Sequence, residues 1–127
     1  MYNIDDVSEM LEEIVDEIPT EFFDDLNGGI VLLDECPPHP ESLGDLFILG
    51  QYQYRWDMGR SIHIYYGSFM RIYSYLTPEK LKEKLRETLE HELTHHWESK
   101  AREKGLEIED AIKINEYKRI HKKPKFK

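Results

Sequence analysis

The amino-acid sequence predicts an α+β domain in which a group of short strands lies between helices. Two observations support this prediction. Towards both ends of the chain, apolar residues recur at three- and four-residue spacing, as in helices that pack by one face. Between them lie short apolar or alternating runs bounded by turn residues, as in strands. Helices and strands that occupy separate stretches of sequence are typical of the α+β class.

The first part of the chain predicts one helix and one strand. Residues 6–18 have the helical spacing and are followed by Pro19, which ends a helix; the apolar positions are Val7, Met10, Leu11, Ile14, Val15 and Ile18. Residues 27–29, Asn-Gly-Gly, predict a turn. The short, partly β-branched run 30–33 that follows predicts a strand, and the prolines of residues 37–40 then predict a stiff loop.

The middle of the chain predicts a hairpin. Residues 46–54 and 61–66 are the two strand candidates, and in the second of them apolar and polar residues alternate. Residues 56–59 would form the connection between them. Residues 69–76 are rich in aromatic and β-branched residues without a clean period, so they predict either a further short strand or an ordered loop.

A long helix is predicted to begin at Thr77-Pro78, where the hydroxyl can cap free amides and proline suits the first helical position. Its core face would consist of Leu81, Leu85, Leu89, Leu93 and His96. Gly105 is the expected cap at its end, and residues 108–120 predict a last helix. His96, on the leucine side, is interpreted as a core histidine with satisfied hydrogen bonds.

The long helix contains His91-Glu92-Leu93-Thr94-His95, which predicts a divalent-metal site, with zinc as the expected ion. Histidines four residues apart lie about 40° apart around a helix, so their imidazoles can converge on one cation. Glu92 follows the first histidine directly and is placed to accept a proton from a water activated by that cation. This combination is used to hydrolyse peptide bonds without a protein nucleophile.

The chain resembles the small bacterial zincin-like metallopeptidases, also described as minimal zincins. The resemblance runs in order through GIVLLDECP at 29–37, LGQY at 49–52, IYYG at 64–67 and LRETLEHELTHH at 85–96. It implies a zincin-like α+β fold, with a small mixed sheet of three or four strands packed on the active-site helix and a further helix at each end of the chain. It also implies that His91 and His95 bind zinc and that Glu92 is the general base.

The third metal ligand is less well defined by the sequence. Many members of the family continue the motif with a glycine and then an aspartate, where this chain has Glu98 and Ala101. Asp110, early in the last predicted helix, is the favoured ligand, and the arrangement would resemble zincins whose third ligand comes from a later helix. Three other carboxylates remain alternatives: Glu98, Glu109 and Glu116.

Composition narrows the possible function. The net charge is −9 and no lysine or arginine precedes Arg55, which argues against nucleic acid as a partner. No apolar run approaches the roughly 20 residues that cross a bilayer, and residues 1–6 lack the pattern of a secretory signal, so we expect a cytoplasmic protein without membrane contact. The single cysteine, Cys36, excludes an intramolecular disulfide.

The sequence therefore predicts one zincin-like domain over residues 1–120, followed by a basic tail at 121–127. Two functions are compatible with it. The first is a zinc-dependent peptidase that acts on a peptide or protein substrate. The alternative is a zinc-binding interaction module of the same fold with little or no turnover.

Overall fold

A computed structural model describes residues 2–41, 43–44 and 46–103. In these residues the chain forms three α-helices, a short 3₁₀ helix and one three-stranded sheet. The elements in chain order are α1 (Ile4–Glu17), the 3₁₀ helix (Thr20–Phe23), β1 (Gly29–Leu33), β2 (Gly50–Arg55), β3 (Gly59–Tyr65), α2 (Tyr66–Tyr73) and α3 (Pro78–Glu103). This arrangement confirms the predicted α+β class.

Helix α1 begins at a capping box that the periodicity did not reveal. The side chain of Asn3 accepts a hydrogen bond from the backbone N–H of Asp6 at 2.8 Å, and the Asp6 carboxylate accepts one from the N–H of Asn3 at 2.9 Å. The helix therefore starts two residues before the predicted position and ends before Pro19, as expected. Its apolar face is buried through Val7, Leu11 and Ile14.

The sheet has the strand order β1-β3-β2 and is mixed, because β1 pairs with β3 in parallel and β2 pairs with β3 in antiparallel. Ile62 and Ile64 on β3 are fully buried in the core cluster. The hairpin prediction is confirmed at Arg55 and Gly59, which pair across the turn. Among the described residues β2 lies at one edge of the sheet.

The predicted strand at 46–54 is wrong in its first four residues, since β2 begins at Gly50. The segment before β2 instead packs against the proline loop. Ile48 donates its backbone N–H to the Pro37 carbonyl at 2.9 Å, and His39 donates to the Leu46 carbonyl at 3.0 Å. These two bonds satisfy the Ile48 N–H and the Leu46 carbonyl, which would otherwise belong to a longer β2.

The interpretation of residues 69–76 as a strand or loop is wrong, because most of the segment belongs to α2. The sheet ends at Tyr65 and the helix begins at Tyr66, with no linker between them. Gly67 permits this abrupt change: a Cβ there would lie 2.6 Å from the Asp34 carbonyl oxygen and 2.7 Å from that of Glu35. Tertiary packing has overridden the strand preference of the aromatic residues.

Helix α3 begins at Pro78 as predicted, and the Thr77 hydroxyl accepts the N–H of Lys80 at 3.4 Å. The predicted core face is confirmed, since its four leucines and His96 are all buried. The Gly105 cap, the helix at 108–120, the domain end at residue 120 and the tail at 121–127 lie outside the described residues. No helix in the described part of the chain combines the length and apolarity that spanning a membrane would need.

Candidate metal centre

His91 and His95 lie side by side on an exposed face of α3. Their Nε2 atoms are 3.2 Å apart and their ring centroids 4.7 Å apart, with the ring planes nearly perpendicular. Two nitrogen ligands at about 2.0–2.1 Å from one tetrahedral zinc ion would be separated by about 3.3 Å. The observed Nε2 separation of 3.2 Å is close to that distance.

Glu98 contacts His95 on the side of its ring that faces away from His91. Its Oε1 lies 3.2 Å from Nδ1 of His95, the ring nitrogen that faces away from His91. A proton on Nδ1 donated to this carboxylate leaves the Nε2 lone pair free, which is how carboxylates commonly orient metal-binding histidines. As placed, Glu98 is a partner of His95 rather than a third ligand beside the two Nε2 atoms.

Glu92 differs from its two histidine neighbours because it is buried, with 7% of its surface exposed. Its carboxylate accepts a hydrogen bond from the backbone N–H of Tyr52 on β2. Burial raises the pKa of the Glu92 carboxyl, and the electrostatic influence of His91 and His95 and the Tyr52 hydrogen bond offset part of that rise. A carboxyl whose pKa is raised is a stronger base than an exposed one and therefore takes up a proton more readily.

A groove of about 840 Å³ runs over this part of α3. Glu92, His91 and His95 line it from the helix, and Gly50 and neighbouring residues of β2 line it from the sheet. The proline loop contributes His39, which also faces the groove although its sequence position gave no sign of this. A loop residue so distant from the motif in sequence could be placed there only by the tertiary fold.

The described residues hold no group of three or more histidine, cysteine, aspartate or glutamate side chains able to bind a metal. The favoured third ligand, Asp110, lies outside them, as do Glu109 and Glu116. Helix α3 continues without a turn through Glu98 and Ala101, the positions where the resembled family has its glycine and aspartate. Ala101 is buried.

Sequence reasoning missed a line of buried polar residues on α3. Glu92, His96 and Lys100 are spaced four residues apart and are all buried. The prediction for His96 is confirmed: it is fully buried, and its Nδ1 and Nε2 lie 2.9 Å from the Tyr52 hydroxyl and 2.7 Å from the Asp24 carbonyl oxygen. Burial lowers the pKa of His96, which favours the neutral ring that these two contacts require.

The buried cations Lys100 and Arg60 belong to the same cluster of buried polar residues. Lys100 donates to the Asp24 carbonyl at 3.3 Å and lies 3.1 Å from the Asp25 carboxylate. Arg60 on β3 is also buried and donates to the Tyr52 hydroxyl at 2.8 Å, while its other terminal nitrogen pairs with Glu103. Each of these buried polar groups therefore has a hydrogen-bond partner, as buried charge requires.

Comparison with known proteins supports the fold. No protein-family model matches the chain, and no curated protein matches it. Among solved structures, the chain is similar to a conserved hypothetical protein from Thermus thermophilus, with 30% sequence identity and a TM-score of 0.67. The match covers 78% of this chain and 97% of that chain. The chain belongs to the family of this conserved hypothetical protein.

The similarity to this protein agrees with the α+β fold described above. A shared fold does not specify a reaction, so the function has to be argued from the chemistry of the site.

Gly50 determines how closely strand β2 can approach helix α3. A Cβ at Gly50 would lie 2.8 Å from Cγ2 of Thr88 and 3.4 Å from Cγ of Glu92. We expect Gly50→Ala to lower the free energy of unfolding by about 1–3 kcal/mol, because the added methyl group overpacks this contact. Denaturation in urea measures the change.

Thr88→Ser provides the matched partner for this substitution. It removes Cγ2 but keeps the hydroxyl, which donates to the Lys84 carbonyl at 3.0 Å. The double variant should therefore be less destabilised than the sum of the two single variants. Additive losses would show that Gly50 and Thr88 are not in the contact described here.

Proposed function

We propose that the protein is a zinc-dependent metallopeptidase with a zincin-like fold, in which His91 and His95 bind zinc and Glu92 is the general base. The observation that carries the proposal is the 3.2 Å separation of the two Nε2 atoms beside a buried carboxylate, at the floor of a groove. Asp110 is proposed as the third ligand. The histidine pair and its supporting carboxylate Glu98 form a donor set that suits zinc.

Zinc, when bound, supplies a Lewis acid that acidifies water and polarises a carbonyl group. The residues of this protein carry out the proton transfers. Glu92 accepts one proton from the water whose oxygen bonds to the carbonyl carbon. It then delivers that proton to the amide nitrogen as the carbon–nitrogen bond breaks, so that an acid and an amine are released. The raised pKa of Glu92 helps it to hold the proton between the two transfers.

A peptide is the substrate that this groove suits best. The Leu49 carbonyl accepts a hydrogen bond from Tyr65 on β3, so the alternation of a strand directs the main-chain groups of Gly50 and Tyr52 towards the opposite side. The Tyr52 N–H, which donates to Glu92, agrees with this direction. With the Tyr52 N–H bonded to Glu92, an extended peptide can pair with the Gly50 main-chain groups and the Tyr52 carbonyl at the edge of β2 and bring a peptide bond over the histidines.

A zinc-binding interaction module with little turnover is the second candidate. It is favoured by the continuous course of α3 through Glu98 and Ala101, since the described part of the chain holds no group of three side chains able to bind a metal. Without a complete set of protein ligands the ion would be held weakly or in a geometry unsuited to catalysis. Peptide binding in the groove would then be the function that remains.

Cleavage of a peptide library by the zinc-loaded protein, followed by mass spectrometry, distinguishes the two candidates. A peptidase should produce cleavage that stops when a chelator removes zinc and returns when zinc is restored. Zinc bound with no cleavage would support the interaction module. Single substitutions of Asp110, Glu109 and Glu116 by alanine identify the third ligand as the residue whose loss weakens zinc binding.

A further inference from the structure

Tyr52 contacts α3 at two points one helical turn apart. Its backbone N–H donates to the carboxylate of Glu92, and its hydroxyl lies 2.9 Å from Nδ1 of His96. We propose that Tyr52 and His96 are positioning residues that hold the Glu92 carboxylate at the metal centre, with Arg60 fixing the Tyr52 hydroxyl. The positioning itself follows from these contacts, while its importance for catalysis rests on the function proposed above.

The hydrogen bonds of this cluster have only one consistent direction. The Asp24 carbonyl can only accept, so Nε2 of His96 carries the proton and Nδ1 is left as an acceptor. The Tyr52 hydroxyl must therefore donate to Nδ1, and its oxygen accepts from Nη1 of Arg60 at 2.8 Å. A chain with a single proton arrangement fixes the position of every member, because reversing one bond leaves a buried group unsatisfied.

The effect on Glu92 follows from the spacing on α3. Glu92 and His96 lie on the same face of the helix, so the side chain and the backbone of Tyr52 can reach both at once. The hydrogen bond from the Tyr52 hydroxyl to His96 fixes the position of β2 relative to α3. It thereby places the backbone N–H of Tyr52 against the Glu92 carboxylate. Gly50 allows the same close approach, since a Cβ there would touch Cγ of Glu92 at 3.4 Å.

Tyr52→Phe tests the proposal by removing only the hydroxyl. Tyr54→Phe is the matched control on the same strand, because the Tyr54 side chain is more than half exposed. We expect the residue 52 amide in Tyr52→Phe to exchange its hydrogen at least about tenfold faster than in the wild type, because the strand is no longer held against Glu92. Two-dimensional NMR measures this for each residue.

The amide of Leu89, in the fully buried core of α3, reports global opening. A merely structural role for the hydroxyl would accelerate the residue 52 and Leu89 amides by the same factor. The proposal therefore requires the residue 52 amide to accelerate about tenfold more than that of Leu89, and the control variant to change neither. Equal acceleration, or none at residue 52, would overturn it.

His96 provides an independent rescue test. In His96→Gln the amide oxygen can accept from Tyr52 and the amide nitrogen can donate to Asp24, whereas His96→Leu can do neither. We expect slow exchange at residue 52 to survive in the first variant and to be lost in the second. Loss in both, measured against Leu89, would show that the hydrogen bonds of His96 do not position the strand.

These exchange rates need neither zinc nor cleavage, so they separate a failure of this proposal from a failure of the proposed peptidase function. In a zinc-loaded protein that cleaves peptides, a second readout applies. Tyr52→Phe should lower kcat by about tenfold, a larger factor than any rise in KM from the loosened β2 edge, because the misplaced base acts on the transition state. A change in KM alone would contradict a positioning role.

Discussion

Replacing Glu92 by glutamine should lower the rate of peptide hydrolysis by about 10²–10⁴-fold and leave zinc bound, because that is the usual contribution of a positioned general base. Glutamine has nearly the same shape and its side-chain oxygen can still accept the Tyr52 N–H, so the fold should be retained. The measurement is kcat with a cleavable peptide, together with the zinc content of each preparation.

Glu83→Gln is the control for this experiment. Glu83 lies on the exposed face of the same helix, so its substitution makes the same chemical change away from the groove. Its activity should match that of the wild type. Hydrolysis that survives Glu92→Gln at the wild-type rate would remove Glu92 from its proposed role as base.

His91→Ala and His95→Ala should each weaken zinc binding by about a hundredfold or more. Loss of a residue that only supports a ligand commonly costs 10- to 100-fold in affinity, and loss of a ligand should cost at least as much. Because both side chains are exposed, the free energy of unfolding without metal should change by no more than about 0.5 kcal/mol. Competition with a chelator of known affinity measures the zinc affinity.

His63→Ala is the matched histidine control. His63 is half-buried on β3, next to Ser61, and is not among the residues that line the groove. Its substitution should leave zinc affinity within about threefold of the wild-type value. If the three histidine variants bound zinc equally well, the ion would not be held by the pair on α3.

The helices with clear periodicity could be predicted from the sequence because one physical signal dominates each of them. In α1 the apolar spacing and Pro19 favour the same structure, and in α3 the apolar spacing, the Thr77 cap and Pro78 do so. Helix α2 could not be predicted in this way. Its aromatic residues favour a strand, and the contact that allows a helix there involves Gly67 and the chain after β1, which is distant in sequence.

The residues of the candidate site could likewise be predicted only in part. His91, Glu92 and His95 could be recognised because their spacing on one helix determines their relative placement. The contributions of Tyr52, His39 and Arg60 depend on how the sheet and the proline loop pack on α3, which local spacing does not encode.

X-ray absorption at the zinc edge on the zinc-loaded full chain determines whether His91 and His95 share one metal ion. We expect one zinc per chain with two imidazole nitrogens at about 2.0–2.1 Å, and the loss of one imidazole in His95→Ala. A protein that remains metal-free in excess zinc would show that the two histidines do not share an ion. So would a bound zinc ion whose spectrum shows no imidazole ligands.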